Sequence, residues 1–304
     1  MPSYAYFRKQ FVPLSEAKIG VMTHALHYGT AVFEGIRGNW NSQQQQAYLF
    51  RLKEHYERLH NGCRVLKINL PYTVDELCQI TVELVAKCGF QEDMYIRPLA
   101  YKSSEALGVR LHGLDDDFLV FVIPWGPYLP DSARCSISSW RRPDDNSIPP
   151  QVKITGIYVN NAFAKTEAVE NGFDEAIMLT PDGHISEGSG ENIFLVIDGK
   201  LVTPAVYNTI LVGITRNTVI ELVRSELGIE TVERPIDRSE VYTAQECFLT
   251  GTAAHITPVA EIDRRIIGNG EVGEITKELQ RIYSDVIRGN NSKYLDWCTP
   301  VYNK

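Results

Sequence analysis

The run Trp125-Gly126-Pro127-Tyr128-Leu129-Pro130-Asp131 constrains this chain more than any other stretch. Two prolines and a glycine so close together stop both helices and central strands. At roughly 100–200 residues per domain, the 304 residues make two domains or one large one. The run marks where to divide them. The expected organisation is a small N-terminal domain over 1–124, a Pro/Gly-rich interdomain loop over 125–136, and a large C-terminal domain over 137–304.

Each side has its own texture. Before the run, 55–63 and 74–88 have helical spacing. In the second, Leu77, Ile80, Thr81, Leu84 and Val85 share a face and Gly89 is the stop. Stretches 94–101 and 118–124 are rich in branched and aromatic residues and predict strands. Gln43 to Gln46 predict a hairpin tip, and His24 and His27 a packed strand or turn. After the run, 176–180 and 184–187 predict strands joined by Pro181-Asp182-Gly183. Stretches 192–197 and 201–203 predict a hairpin through Asp198-Gly199. A helix is expected over 215–227, with Val219, Ile220, Val223 and Leu227 on one side and Gly228 closing it. The predicted class is α+β with substantial antiparallel sheet. Alternating βαβ units and a Gly-x-Gly-x-x-Gly helix opening are both missing.

Composition narrows the functions. A net charge of −8 argues against nucleic acid, which needs a basic face, but allows one locally held phosphate. Cys63, Cys78, Cys88, Cys135, Cys247 and Cys298 form no Cys-x-x-Cys and read as reduced thiols of a cytoplasmic protein. The start, Met1-Pro2-Ser3-Tyr4, has no signal-peptide pattern, and no apolar run approaches a membrane span. The seven histidines lack ligand spacing, so no catalytic metal is expected.

Four constellations carry chemistry. Pro149-Pro150-Gln151-Val152-Lys153-Ile154-Thr155-Gly156-Ile157-Tyr158 places a lysine between apolar neighbours in an extended segment. A desolvated amine there is a nucleophile, although a surface lysine fits the local sequence too. Ile185-Ser186-Glu187-Gly188-Ser189-Gly190-Glu191-Asn192 offers a carboxylate beside glycines that admit something flat, or else a polar turn. Leu211-Val212-Gly213-Ile214-Thr215-Arg216 opens a helix and suits one phosphate, or simply provides a threonine cap. Leu249-Thr250-Gly251-Thr252-Ala253-Ala254 ends a strand in small residues whose amides suit an anion, or makes a tight turn. Together they supply an amine, an acid for a ring nitrogen and donors for phosphate, the set that pyridoxal phosphate requires.

The same motifs, with His24-Ala25-Leu26-His27-Tyr28-Gly29-Thr30-Ala31-Val32-Phe33-Glu34-Gly35-Ile36-Arg37, Phe50-Arg51-Leu52 and Tyr95-Ile96-Arg97-Pro98-Leu99, make the chain resemble the fold-type IV pyridoxal-phosphate enzymes. Within these it is most similar to branched-chain amino acid aminotransferases. The resemblance covers nearly the whole chain and implies ping-pong transamination between Leu, Ile or Val and 2-oxoglutarate. It implies Lys153 as Schiff-base lysine and proton shuttle, Glu187 at the pyridine nitrogen and Tyr158 at the ring hydroxyl. Arg51, Gly213, Ile214, Thr215 and Thr252 would hold the phosphate, and Leu211 and Gly190 would lie against the ring. Tyr95, Thr252 and Ala253 would receive the substrate carboxylate. Tyr28, Phe33, Arg37, Val109 and Trp125 would line the substrate pocket. Arg97, Tyr28 and Tyr128 would meet the distal carboxylate of glutamate. The implied partners are small amino acids, 2-oxo acids and a second copy of the chain, with the loop around Val109 reaching the neighbour's pocket.

Val212 stands where the branched-chain pattern has proline, which bears on the stiffness of that turn. A D-amino acid or R-amine transaminase and an aminodeoxychorismate lyase share the fold and the lysine, glutamate and phosphate motifs. Tyr95-Ile96-Arg97 and Gly35-Ile36-Arg37 favour the branched-chain group. Lys165, in a helical pattern among charged neighbours, is the rival lysine.

Overall fold

A computed structural model describes residues 3–126 and 128–302. The chain makes two compact units. One takes the described residues through Gly126, then Val152–Gly156, then those from Asp285 onward. The other takes 128–151 and Ile157–Ser284. Three features depart from the expected division. Lys153 travels with the first unit, the last segment of the chain returns to it, and Ala133–Arg141, placed partly in a loop, is a strand of the second unit.

The first unit is built on an eight-stranded antiparallel sheet. Met94–Lys102 lies centrally, flanked by Asp116–Pro124 on one side and by Ile36–Asn41 and Ala31–Phe33 on the other. Pro98 is tolerated mid-strand because its missing N–H falls at the break between those last two neighbours. There Glu34 donates its own N–H to the Pro98 carbonyl at 3.0 Å. Gln46–Phe50 and Cys298–Pro300 extend the sheet beyond Ile36–Asn41. Residues 42–45 form the expected hairpin tip, with Gln46 already in the strand. Helices Leu52–Val65 and Val74–Cys88 pack together, burying Tyr56, Leu59 and Cys63 on one and Leu77, Leu84 and Val85 on the other. Thr73 and Glu76 cap the second helix reciprocally, and Gly89 ends it at φ 68°. His24 and His27 belong to a short helix, His24–Tyr28, rather than a strand or turn.

The second unit is built on a nine-stranded mixed sheet. Its order is Ile185–Gly188, Glu175–Leu179, Ala133–Arg141, His255–Ile262, Glu246–Gly251, Asn192–Ile197, Lys200–Thr203, Thr231–Glu233. Ala133–Arg141 runs parallel to both its neighbours. The core gathers Ile177, Ile185, Ile193, Leu195, Leu249 and Val259. Helix Tyr158–Glu170 packs on this sheet through Ala164 and Ala168, small enough for close approach. The helix expected over 215–227 runs as α from Ile214–Leu222 and continues as a π turn, Val223–Leu227, to Gly228 at φ 65°. The buried face runs through Thr215, Thr218, Val219, Leu222 and Val223, so Leu222 is buried while Ile220 and Leu227 are not fully so.

Candidate active site

In the first unit, the lysine segment is held by the strand beside it. Phe33 donates its N–H to the Lys153 carbonyl at 3.1 Å, and Val32 pairs with Ile154. Only this bridge is extended, since 150–152 turn and Thr155–Ile157 begins a helical turn. Gly29, at φ 62°, lets the chains touch: a Cβ there would fall 2.6 Å from Gly156 Cα. Thr155 Oγ1 donates to the Gly29 carbonyl at 2.9 Å. Lys153 is half-buried, and its Nζ lies 4.9 Å from the centre of the Phe33 ring.

The residues that follow Phe33 each have a local reason. Glu34 is buried and pairs with His55 Nδ1 at 2.7 Å and Arg58 Nε at 2.7 Å. Burial raises its carboxyl, but the Arg58 guanidinium and His55 outweigh this and bring it down to about 2. Gly35 makes room for Tyr95, whose hydroxyl would lie 2.2 Å from a Cβ there. Arg37, expected among substrate contacts, is buried and donates to the carbonyls of Trp125 (3.0 Å) and Gly126 (3.2 Å). It therefore braces the backbone that carries Trp125.

Arg97 lies with its guanidinium 4.7 Å from the Phe33 ring centre and 5.1 Å from that of Tyr95, and donates to the Tyr95 hydroxyl at 2.9 Å. No described carboxylate of this unit forms an ion pair with it. Arg97 Nε and Trp125 Nε1 are buried donors without a hydrogen-bond partner. Tyr28 turns its hydroxyl to the N–H of Gly108 at 3.0 Å, while His24 Nε2 meets the Gly108 carbonyl at 2.9 Å. Val109 is thereby presented 89% exposed instead of packed inside its own unit. Arg51 sits at φ 47° just before helix Leu52–Val65. Its N–H reaches the Trp297 carbonyl at 2.7 Å, and its guanidinium lies 3.8 Å from that ring's centre.

In the second unit, Glu187 is buried inside a polar clamp. Its Oε1 is 3.0 Å from Arg142 Nη2, and its Oε2 accepts from Asn192 Nδ2 at 3.1 Å and the Leu211 N–H at 3.0 Å. Arg142 is fixed in turn by Asn161 Oδ1 at 2.9 Å and the Thr209 carbonyl at 3.3 Å. Sequence reasoning missed Arg142 and Asn161, which lie outside every motif, and gave Asn192 no role although its motif was in view. Asn192 also donates to the Leu211 carbonyl at 2.9 Å, and a Cβ on Gly213 would strike its Oδ1 at 2.1 Å. One side chain thus ties Glu187 to the turn leading into helix Ile214–Leu222.

Gly213 is the cap of that helix and Thr215, 3% exposed, lies within its first turn, so its hydroxyl is not the cap. The first amides of a helix have no partner inside it and its dipole favours an anion there. Thr252 and Ala253 occupy the half-buried turn between Glu246–Gly251 and His255–Ile262. A Cβ on Gly190 would meet nothing within 4 Å, leaving open space for a flat group. Tyr158 begins helix Tyr158–Glu170. Tyr128 is 43% exposed, with the Lys165 ammonium 5.7 Å from its ring centre. That ammonium is committed to Glu175 Oε2 and the Asp174 carbonyl, both at 2.6 Å.

Residues 31–262 match the family described as amino-transferase class IV. A probable branched-chain-amino-acid aminotransferase of Aquifex aeolicus is 52% identical over 99% of this chain and 97% of its own. The chain belongs to the branched-chain amino acid aminotransferases. Solved structures agree with that placement for this aminotransferase. A branched-chain aminotransferase from Thermoproteus uzoniensis, solved with norvaline, is 43% identical with a TM-score of 0.95, covering 99% of this chain and 100% of that one. A branched-chain amino acid aminotransferase from Thermobaculum terrenum, solved in its PLP-form, is 38% identical with a TM-score of 0.95, covering 99% of both chains. Family membership makes the two-unit α+β architecture that of a fold-type IV enzyme.

Proposed function

We propose that this enzyme moves amino groups between branched-chain L-amino acids and 2-oxoglutarate by a ping-pong mechanism, using pyridoxal 5'-phosphate and the residues described above. The observation that carries the substrate reading is Arg97. Its guanidinium lies on two aromatic rings with no carboxylate partner among the described residues of its unit. A ping-pong enzyme admits an aliphatic donor and a dicarboxylate acceptor in turn, and an apolar wall holding an unspent cation suits both. Phe33 and Trp125 give a branched side chain apolar surface. Arg97 is assigned to the distal carboxylate, together with the hydroxyls of Tyr28 and of Tyr128 in the second unit.

The donor set fits the cofactor. A buried carboxylate oriented by Arg142 and Asn192 suits a ring nitrogen, and open space at Gly190 suits the ring face. The start of helix Ile214–Leu222, with Thr215, Thr252 and Arg51, suits one phosphate, and Tyr158 is assigned to the ring hydroxyl. When bound, the cofactor supplies the carbonyl that takes the amino group and the ring that accepts electrons from Cα. Lys153 is the amine that holds the cofactor between turnovers and carries the proton from Cα. Its backbone contacts with Phe33 and Ile154 fix where that amine starts, and Lys165 is already spent on Glu175.

Initial rates with L-Leu, L-Val, L-Glu, D-Ala and R-1-phenylethylamine test the reading. Activity on the first three is expected, with loss of turnover in Lys153→Ala and not in Lys165→Ala. Preference for D-Ala or the R-amine would move the protein to another activity of the same fold.

The working form is proposed to be at least a homodimer in the cytoplasm. Exposed Leu107 (60%) and Val109 (89%) flank Gly108, whose peptide is clamped on both sides. Such ordered apolar exposure suits a protein partner. Analytical ultracentrifugation showing a fully active monomer would remove it.

A further inference from the structure

Glu191 has no role in the reading above, yet it is 4% exposed in the middle of the second unit. Its side chain fills the space that two glycines leave. A Cβ on Gly188 would lie 2.8 Å from Glu191 Oε2, and a Cβ on Gly251 would lie 3.4 Å from Glu191 Cγ. The same Oε2 accepts the N–H of Gly190 at 3.1 Å. Gly188 and Gly190 follow Glu187, and Gly251 precedes Thr252. One side chain therefore touches both backbone segments that carry the assigned ring and phosphate contacts.

We infer that Glu191 is a positioning residue, a wedge that sets the 188–191 loop against the 251–254 turn and so fixes the spacing of the two walls of the cofactor site. Tight packing makes such a wedge effective, because an interior this dense transmits a change of a few atoms to its neighbours. Burial, followed by the nearby Glu175 carboxylate, pushes the Glu191 carboxyl up to about 8. Below that value it is an uncharged hydrogen-bonding group. Its role is one of shape and hydrogen bonding and not of charge, so an amide of the same shape is expected to replace it.

The inference rests on the assignment of Glu187 and Thr252 to the cofactor, and the test separates the two. Affinity for pyridoxal phosphate is measured by titrating the apoenzyme, following cofactor absorbance and its induced circular dichroism. Glu191→Ala is expected to bind about tenfold more weakly, the equivalent of one lost buried contact, with an altered dichroic band. Glu191→Gln is expected to stay within about twofold of wild type with the wild-type band. Glu187→Ala serves as the control for the assignment. Wild-type affinity and band in Glu191→Ala, with weakened binding in Glu187→Ala, overturn the wedge and leave the assignment standing. Wild-type behaviour in Glu187→Ala overturns the assignment itself. Should Glu191→Ala fail to fold by far-ultraviolet dichroism, Glu191→Gln decides: a loss as large as tenfold there sinks the inference, and retention supports it.

Discussion

Arg142 Nη2 lies 3.0 Å from Glu187 Oε1, with both side chains almost wholly buried. Breaking such a pair from one side leaves a charge stranded in a poor solvent, at a cost of about 3–5 kcal/mol. Arg142→Met is therefore expected to lower unfolding stability by about that amount in urea titrations. Glu187→Gln keeps the shape of the clamp and is expected to keep the cofactor while slowing the L-Leu half-reaction in stopped-flow measurements. Equal half-reaction rates in wild type and Glu187→Gln would deny the carboxylate its place at the ring nitrogen.

Arg97→Leu separates the two substrates. A charge-assisted hydrogen bond lost to the distal carboxylate costs about 1.5–3 kcal/mol, roughly 10–100-fold. KM for 2-oxoglutarate or L-Glu is expected to rise by about that factor, with KM for L-Leu changing little. A parallel rise for both would give Arg97 a structural role or a contact with the carboxylate common to both substrates.

The pairing of Glu34 sets a response to acid. Its carboxyl ionises near 2 in the fold, against the ordinary 4.5, so it stabilises the fold above about pH 4.5. That contribution, on the order of 3 kcal/mol, drains away as pH falls toward 2. His55, held down chiefly by burial, works in the same direction below its ordinary 6.5, because only the unfolded chain then readily takes its proton. The Tm difference between wild type and Glu34→Gln is expected to narrow between about pH 4.5 and 2. A constant difference would show that this carboxylate does not carry the effect.

Glu191 responds in the opposite sense. Among Glu175, Lys165 and Glu187, it gives up its proton only near 8, whereas the unfolded chain does so near 4.5. Stability from this group is lost as pH rises between those values and then levels off. Glu191→Gln, which has no proton to lose, is expected to gain in Tm relative to wild type across that window. A relative Tm that is flat with pH would mean that Glu191 ionises normally.

Local patterns made much of this fold legible. Thr73, Glu76 and Gly89 bound their helix because caps and stops act within a few residues. Glu187 and Gly213 stood out because a carboxylate beside glycines and a glycine before a helix are local signals. Arg142 gave none, since its partners Glu187 and Asn161 are brought to it only by strand order and by the packing of helix Tyr158–Glu170 on the sheet. The lysine segment was readable as chemistry but not as architecture. Its pairing with Val32 crosses more than a hundred positions, and no periodicity reports a pairing that distant. The π turn after Leu222 was hidden for another reason, because one extra residue per turn changes which side chains are buried without changing their type.

The strand Cys298–Pro300 has a consequence for the order in which the first unit folds. Cys298 pairs with Phe50, and Trp297 supplies both a carbonyl and a ring to Arg51. The left-handed conformation of Arg51 is thus supported by residues remote from it in sequence. Contacts this remote in sequence close late and slowly. Until that long-range strand pairing closes, Arg51 lacks its support, so the proposed grip of Arg51 on a phosphate would follow completion of the first unit's sheet instead of guiding it.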